Sequence, residues 1–247
     1  MKRIISGSVL FSIFLFSFTF TACLDDDSDD PSIYADAYIF AERSDSASII
    51  NDDSSSNVSY SLILNAYCFN YTIDSATAIG GSTLLNYTLN GNGGYFSYYD
   101  GPYDNPNDIT GSYNFNLSYL SGISPTSTKN TVNFNVLDPT KIISCIGDKK
   151  TPSINLKWNY FPGAEVLIIR LKDPEGNTLF TYNDYYYSEN GYNEYIISNE
   201  TGTWEEGASL YSGVSYTVEI LGIIMESETS SYIQAEALTS AAVVWEE

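Results

Sequence analysis

Beyond residue 31 the chain alternates apolar and polar residues by twos, and no stretch repeats convincingly at helical spacing. Successive side chains on a strand point to opposite faces, so a period of two lets one face be buried and leaves the other wet. Tyr113, Phe115, Leu117 and Tyr119 alternate with Ser112, Asn114, Asn116 and Ser118. Val132, Phe134 and Val136 alternate with Asn133 and Asn135. Leu62, Leu64, Ala66 and Cys68 fall on one face of a strand expected over 60–71, and Leu85, Tyr87 and Leu89 on one face of the next. Asn90-Gly91-Asn92-Gly93-Gly94 is a turn signal leading into a strand over 95–99. The 22 Tyr of the chain suit pleated, half-wet surfaces better than helical bundles.

Leu137-Asp138-Pro139-Thr140 interrupts this pattern, because proline after Asp favours a turn over a central strand. The alternation then restarts. Ile154, Leu156 and Trp158 share a face, 165–171 is nearly continuous apolar, and Asp173-Pro174-Glu175-Gly176-Asn177 turns into a strand over 179–182. Tyr216, Val218 and Ile220 share a face, and a last strand is expected within 232–238. The expected fold is all-β: two tandem antiparallel β-sandwiches over 32–137 and 138–247, each with about seven short strands.

The second unit resembles a fibronectin type III domain. Ile154-Asn155-Leu156-Lys157-Trp158 stands where that family places its strand B tryptophan, and Phe161-Pro162-Gly163-Ala164 leads into the long apolar strand C. Leu210-Tyr211-Ser212-Gly213-Val214-Ser215-Tyr216 is similar to the family's tyrosine corner, with Ser212 in place of Pro. The resemblance implies that the Tyr216 hydroxyl bonds back to the loop's backbone. Asp108-Ile109-Thr110-Gly111-Ser112-Tyr113 resembles a loosened corner of immunoglobulin-like domains, which makes the first unit immunoglobulin-like. Neither fold specifies a function.

The N-terminus carries an address. Lys2 and Arg3 precede an apolar run from Ile4 to Phe20, a small residue at Ala22, and Cys23. This is the layout of a secretory signal over 1–22. Cys after the small residue resembles the lipobox of bacterial lipoproteins, although Phe20 stands where that family usually has Leu. The resemblance implies cleavage before Cys23 and palmitate-type acylation of its thiol, each buried CH₂ contributing about 0.8 kcal/mol of membrane affinity. The rival, an uncleaved transmembrane anchor over 4–22, is disfavoured by its Ser, Thr and Gly and by the placed Cys. Asp25, Asp26, Asp27, Asp29 and Asp30 make 23–31 a self-repelling, solvated tether. Acidic residues there also resemble the export signal of surface lipoproteins in glycan-degrading Gram-negative bacteria. The implied location is extracytoplasmic, on the outer membrane and at the cell surface.

Composition removes several chemistries. The chain has no His, which excludes Ser-His-Asp and Cys-His nucleophile systems and His-ligated metals. Without Lys2 and Arg3 it holds 8 basic residues against 31 acidic, a formal charge of −23 that repels phosphate backbones. No nucleic acid and no cofactor are expected. Cys68 and Cys145 sit in separate apolar runs and are expected as buried thiols, not as a disulfide.

Two aromatic clusters are candidate ligand sites. Tyr95, Phe96, Tyr98, Tyr99 and Tyr103 surround Gly101-Pro102, with Asp104, Asn105, Asn107 and Asp108 following. A ring can stack on the apolar face of a sugar while short polar groups hold its hydroxyls. The competing reading puts half of these rings in the core, because alternation demands it. Tyr182, Tyr185, Tyr186, Tyr187 and Tyr192, interspersed with Asp184, Glu189 and Asn190, lie outside a clear strand and favour an interface. Asp100, Asp104, Asn107 and Asp108 offer oxygens to Ca²⁺ but lack EF-hand spacing, so no metal is assigned. Glu205 and Glu206 beside Trp204 offer two carboxylates, but neighbours on a strand diverge and cannot converge on one bond. Asp45-Ser46-Ala47 and Asp74-Ser75-Ala76 resemble bacterial O-glycosylation acceptors and read first as ordinary loop residues. The expectation is a non-catalytic surface lipoprotein, either a glycan-binding accessory of a polysaccharide importer or a protein-interaction or spacer module, with a membrane partner through Cys23.

Overall fold

The structure is a computed structural model that describes residues 33–43, 58–68, 72–81, 84–92, 94–119, 126–132, 136–148, 153–185, 192–226 and 232–245. The signal and tether with Cys23, Asp45-Ser46-Ala47, Tyr186 and Tyr187 lie outside the described residues. For Tyr185 and Tyr192 the description covers the backbone alone.

The strands run β1 Ile33–Arg43, β2 Val58–Cys68, β3 Ile73–Gly80, β4 Leu85–Asn92, β5 Tyr95–Tyr103, β6 Gly111–Tyr119, β7 Thr126–Val132, β8 Ile142–Asp148, β9 Ser153–Asn159, β10 Val166–Lys172, β11 Thr178–Tyr185, β12 Tyr192–Ser198, β13 Thr203–Trp204, β14 Ser215–Met225 and β15 Ile233–Val244. One 3₁₀ turn, Pro106–Asp108, is capped by Asn105, whose Oδ1 accepts from the Asn107 amide at 3.0 Å. The protein is all-β, as the alternation predicts.

The second unit is a three-on-four sandwich. The small sheet has the order β12-β9-β8, and β11-β10-β14-β15 face it. Its core holds Ile154, Leu156 and Trp158 from β9, Ile169 and Leu171 from β10, and Tyr216, Val218 and Ile220 from β14. Phe161, in the turn between β9 and β10, is fully buried against Gly222 of β14, where an added Cβ would lie 2.4 Å from the ring. The tyrosine corner is present: the Tyr216 hydroxyl accepts from the Tyr211 amide at 2.7 Å. This strand arrangement and corner are fibronectin type III-like.

The first unit packs β1-β2-β5 against β3-β6-β7, around Leu62 and Leu64 of β2, Ala76 and Ala78 of β3, and Phe115 and Leu117 of β6. β4 serves both layers. Its residues Leu85–Leu89 pair with β3, and Asn90–Asn92 pair with β5. Gly91 marks the crossing, because a Cβ there would sit 2.0 Å from the Tyr95 carbonyl oxygen. The second corner also forms, with the Tyr113 hydroxyl donating to the Ile109 carbonyl at 2.6 Å.

The sequence reading held no strand before 60. β1 is buried on both faces over 35–41, so apolar residues fall on each and the period of two is lost. It pairs antiparallel with the whole of β2, and its residues Ile39–Arg43 pair in parallel with Ala235–Thr239 of β15. That join fuses the larger sheets into one of twelve strands, β13-β11-β10-β14-β15-β1-β2-β5-β4-β3-β6-β7. Ala41 of β1 belongs to the second core, whereas Ala35, Ala37 and Ile39 belong to the first. Side-chain bonds reinforce the join: Thr239 Oγ1 donates to the Thr140 carbonyl at 2.6 Å and the Tyr60 hydroxyl to Asp138 at 3.0 Å.

Candidate functional site

The alternation that builds β5 splits the first aromatic cluster between two faces. Phe96 and Tyr98 lie opposite Ala66 and Leu64 and pack on the first core, while Tyr95 and Tyr99 lie opposite Tyr67 and Ile63 on the other face. Tyr98 is tilted against Tyr87 at 5.4 Å between ring centroids, and Tyr87 against Tyr113 at 6.1 Å. Tyr103 packs at the margin of the same core and donates to Asp100 Oδ2. Burial and then that carboxylate bond raise its phenol above the ordinary range. On the far face the Tyr99 hydroxyl accepts from Ser61 Oγ at 2.7 Å, and the Tyr95 hydroxyl donates to Asn65 Oδ1 at 2.9 Å. The structure therefore brings Tyr98 and Tyr103 together and places Tyr99 on the opposite side of the strand. Among the described residues no group of three or more Asp, Glu or Cys is placed to hold a metal ion.

The second cluster is built differently. β11 runs to Tyr185 and β12 begins at Tyr192, so Tyr182, Tyr185 and Tyr192 belong to strands, not to a free insert. β11 and β12 lie in different sheets, and their aromatic residues meet across the open edge of the sandwich. Tyr182 and Tyr195 lie 4.3 Å apart between centroids, with their planes tilted by 31°. Phe180, fully buried beneath them, meets Tyr195 at 6.4 Å and Trp204 edge-on at 5.1 Å. Trp204 is held by its indole N–H, which donates to the Ser198 carbonyl at 2.9 Å.

Both tyrosines are half-buried, with an apolar body on the core and a polar tip at the surface. The Tyr182 hydroxyl donates to Asp184 Oδ2 at 2.8 Å. Burial, then this bond, pushes its phenol up to about 12, so it stays a neutral donor at any physiological pH. This edge offers ring faces, hydroxyls and a carboxylate within a few residues, which suits binding of a polar ligand with apolar faces. Tyr195 is not among the residues the sequence assigns to this cluster, and Trp204 enters there only as the ring beside Glu205 and Glu206. The i, i+2 pair Tyr195 and Ile197 carried the signal, since both point inward from β12.

Glu205 and Glu206 do not lie on a strand, as the sequence argument assumed. They occupy the exposed turn after β13, and the Glu205 amide is tied to the Leu179 carbonyl at 2.9 Å. Cys68 lies in the first core and Cys145 in the second, both buried and neither in a disulfide.

No protein-family model matches the sequence, and no curated protein matches it. Among solved structures, the chain is similar to the FN1–FN3 domains of chicken CNTN1, at 10% identity and TM-score 0.29, covering 75% of this chain and 62% of that one. It is similar to a segment of two fibronectin type III domains from chicken tenascin, at 13% identity and TM-score 0.24, covering 74% and 91%. It is also similar to the BSP domain of a biofilm associated protein, at 11% identity and TM-score 0.24, covering 75% and 27%. The class of the protein, an all-β chain with a fibronectin type III-like sandwich, rests on its own strand order and tyrosine corner.

Proposed function

We propose that this chain is a non-catalytic surface lipoprotein, anchored through Cys23 in the outer membrane of a Gram-negative bacterium, that binds glycan as an accessory of a polysaccharide uptake system. The observation that carries the binding is the Tyr182–Tyr195 pair at the open edge of the sandwich, with Asp184 beside it. The rings are prepositioned by Phe180 and Trp204, so stacking a sugar on them costs little side-chain entropy. Tyr185, Tyr186, Tyr187 and Tyr192 follow closely in the sequence and are the further rings that this reading assigns to a chain of sugars. The anchor and address rest on Lys2 to Cys23 and the Asp run.

Affinity electrophoresis against a panel of polysaccharides tests the reading. Retardation by at least one glycan is expected, reduced about tenfold or more in affinity by Tyr195→Ala and by the triple Tyr185→Ala, Tyr186→Ala, Tyr187→Ala variant. Circular dichroism confirms that each variant is folded. No retardation, or retardation unchanged in both variants, sinks it.

A second reading, a protein-interaction module, draws on the outer face of β8-β9-β12. Ile146 and Ile196 flank Asn155 in one row there and are 61% and 51% exposed. Pull-down from intact cells with Ile146→Ser/Ile196→Ser as control separates the two. A stoichiometric protein lost in that variant favours the second reading.

A further inference from the structure

The parallel join of β1 and β15 buries ionisable side chains on the sheet face that points away from both sandwich cores. Asp36 and Glu236 are 1% exposed, and on the neighbouring strands Arg170, Lys172 and Glu219 are 5 to 7% exposed. Glu236 lies opposite Phe40 of β1 on one side and Ile223 of β14 on the other, two apolar neighbours. Neither of its oxygens has a hydrogen-bond partner. The Tyr38 hydroxyl is equally unbonded; it lies near enough to favour the carboxylate yet outside hydrogen-bonding geometry. Asp36 is used mechanically. Its Oδ2 accepts from the Ile233 amide at 3.0 Å, across 197 residues of sequence, and from the Tyr34 hydroxyl at 3.0 Å. Tyr34 stacks on Tyr232 at 4.5 Å, with the rings 2° from parallel.

We propose that this join is a proton-dependent clasp: protons on Asp36 and on Glu236, at two levels of the same seam, hold β1 against β15, and their loss loosens the connection between the two sandwiches.

The charges on the face lead to this. Lys172 donates to Glu219 at 2.7 Å and Arg170 lies 3.9 Å from the other oxygen of the same carboxylate. Both cations are engaged by Glu219, and Arg170 also favours an ionised Glu236. That attraction supplies none of the hydrogen bonds that Glu236 lacks, so an ionised carboxylate there would be out of water with neither oxygen bonded, which is strongly unfavourable and which a proton relieves. The further groups that face the pair do not supply a cation: Tyr38 on β1, Tyr95 on β5, and Glu226 and Tyr232 between β14 and β15. Burial, opposed in part by Arg170, pushes the Glu236 carboxyl up to about 8. Burial, opposed by the Ile233 amide and Tyr34 bonds, pushes Asp36 up to about 7. Both groups hold protons more tightly folded than unfolded. Their contribution is complete below the unfolded value of each and is lost as pH rises through the folded one, a window from about pH 4 to about pH 8.

Hydrogen exchange of the full-length chain, corrected for the intrinsic rate, is compared at about pH 6 and about pH 9 on strand segments 39–43 and 235–239, with β9 and β12 as internal reference. Protection of the join should fall about tenfold or more beyond any fall in the reference. Glu236→Gln, a neutral isostere, should abolish most of that difference, and Asp36→Asn part of it. Equal falls in join and reference, or a Glu236→Gln profile like that of the parent, overturn the proposal. Should the variants not fold, carboxyl NMR of the parent decides instead: a folded chain whose Glu and Asp carboxyls all titrate near their ordinary values, about 4, overturns it as well.

Discussion

Replacing Gly222 with Ala tests the packing logic of the second sandwich most directly. Gly222 sits in the middle of β14, between Leu167 of β10 and Ala237 of β15, and the Phe161 ring fills the space where its side chain would be. A Cβ built there lies 2.4 Å from Phe161 Cε1 and 2.6 Å from Cζ, against a normal carbon contact of 3.4–4 Å. The ring must retreat by about 1 Å, yet it is fully buried among close-packed neighbours and has no free volume to enter. Gly222 lies on a strand with ordinary φ, so backbone strain contributes nothing and the whole effect is overpacking. Such overpacking costs about 1–3 kcal/mol. Taking about 2 kcal/mol, the melting temperature of a chain this size falls by roughly 4–8 °C. Calorimetry of Gly222→Ala, Phe161→Leu and the double variant closes a cycle. The leucine alone loses contacts and costs about 1 kcal/mol or more, but in the double variant the new methyl partly fills the space left by the ring. The double variant should therefore be at least about 1 kcal/mol more stable than the sum of the singles predicts. A Gly222→Ala protein that melts with the parent, or strict additivity in the cycle, would refute the claim that Phe161 locks the turn under β14.

The two tyrosine corners predict a matched pair of losses. Tyr216→Phe leaves the Tyr211 amide without its bond and Tyr113→Phe does the same to the Ile109 carbonyl, each costing about 1 kcal/mol in urea unfolding while the far-ultraviolet spectrum stays unchanged. A loss above about 4 kcal/mol in either would show that the ring, not the hydroxyl, carries the corner. For the thiols, burial pushes Cys145 up to about 12, so alkylation of the native protein at about pH 8 should be slower than in denaturant by about a hundredfold or more. Comparable native and denatured rates would contradict its place in the core.

Alternation read out the strands that have one wet face. Residues 113–118 of β6 and the face of Ile154, Leu156 and Trp158 on β9 lie as the period of two predicts, and Tyr216, Val218 and Ile220 share the inward face of β14, whose other face is buried as well. Both corners were readable because a tyrosine at fixed distance from a turn is a local pattern. β1 was not readable, because a strand buried on both sides loses its alternation and looks like any apolar run. The strand expected over Val132 to Val136 falls for the most part outside the described residues; β7 had no apolar alternation to announce it, because residues 126–131 are polar throughout, and it is held by its ladder to β6, which composition does not report.

The candidate site divides in the same way. Sequence found the Tyr-rich connection around Tyr182 to Tyr192 but not its partner, since Tyr182 and Tyr195 meet only when β11 and β12 fall in opposite sheets.

What the sequence alone determined is local: the strand period, the turns, the absence of His, the acidic charge and the N-terminal pattern ending at Cys23. Each depends on residues close along the chain and on side-chain chemistry that is the same in any fold. Tertiary structure alone decided the parallel seating of β1 on β15, the stranding of Glu236 without a partner, and the cross-sheet tyrosine pair. Those contacts join residues up to 197 apart, and which strand edge is left open for another is settled only once both sandwiches have formed.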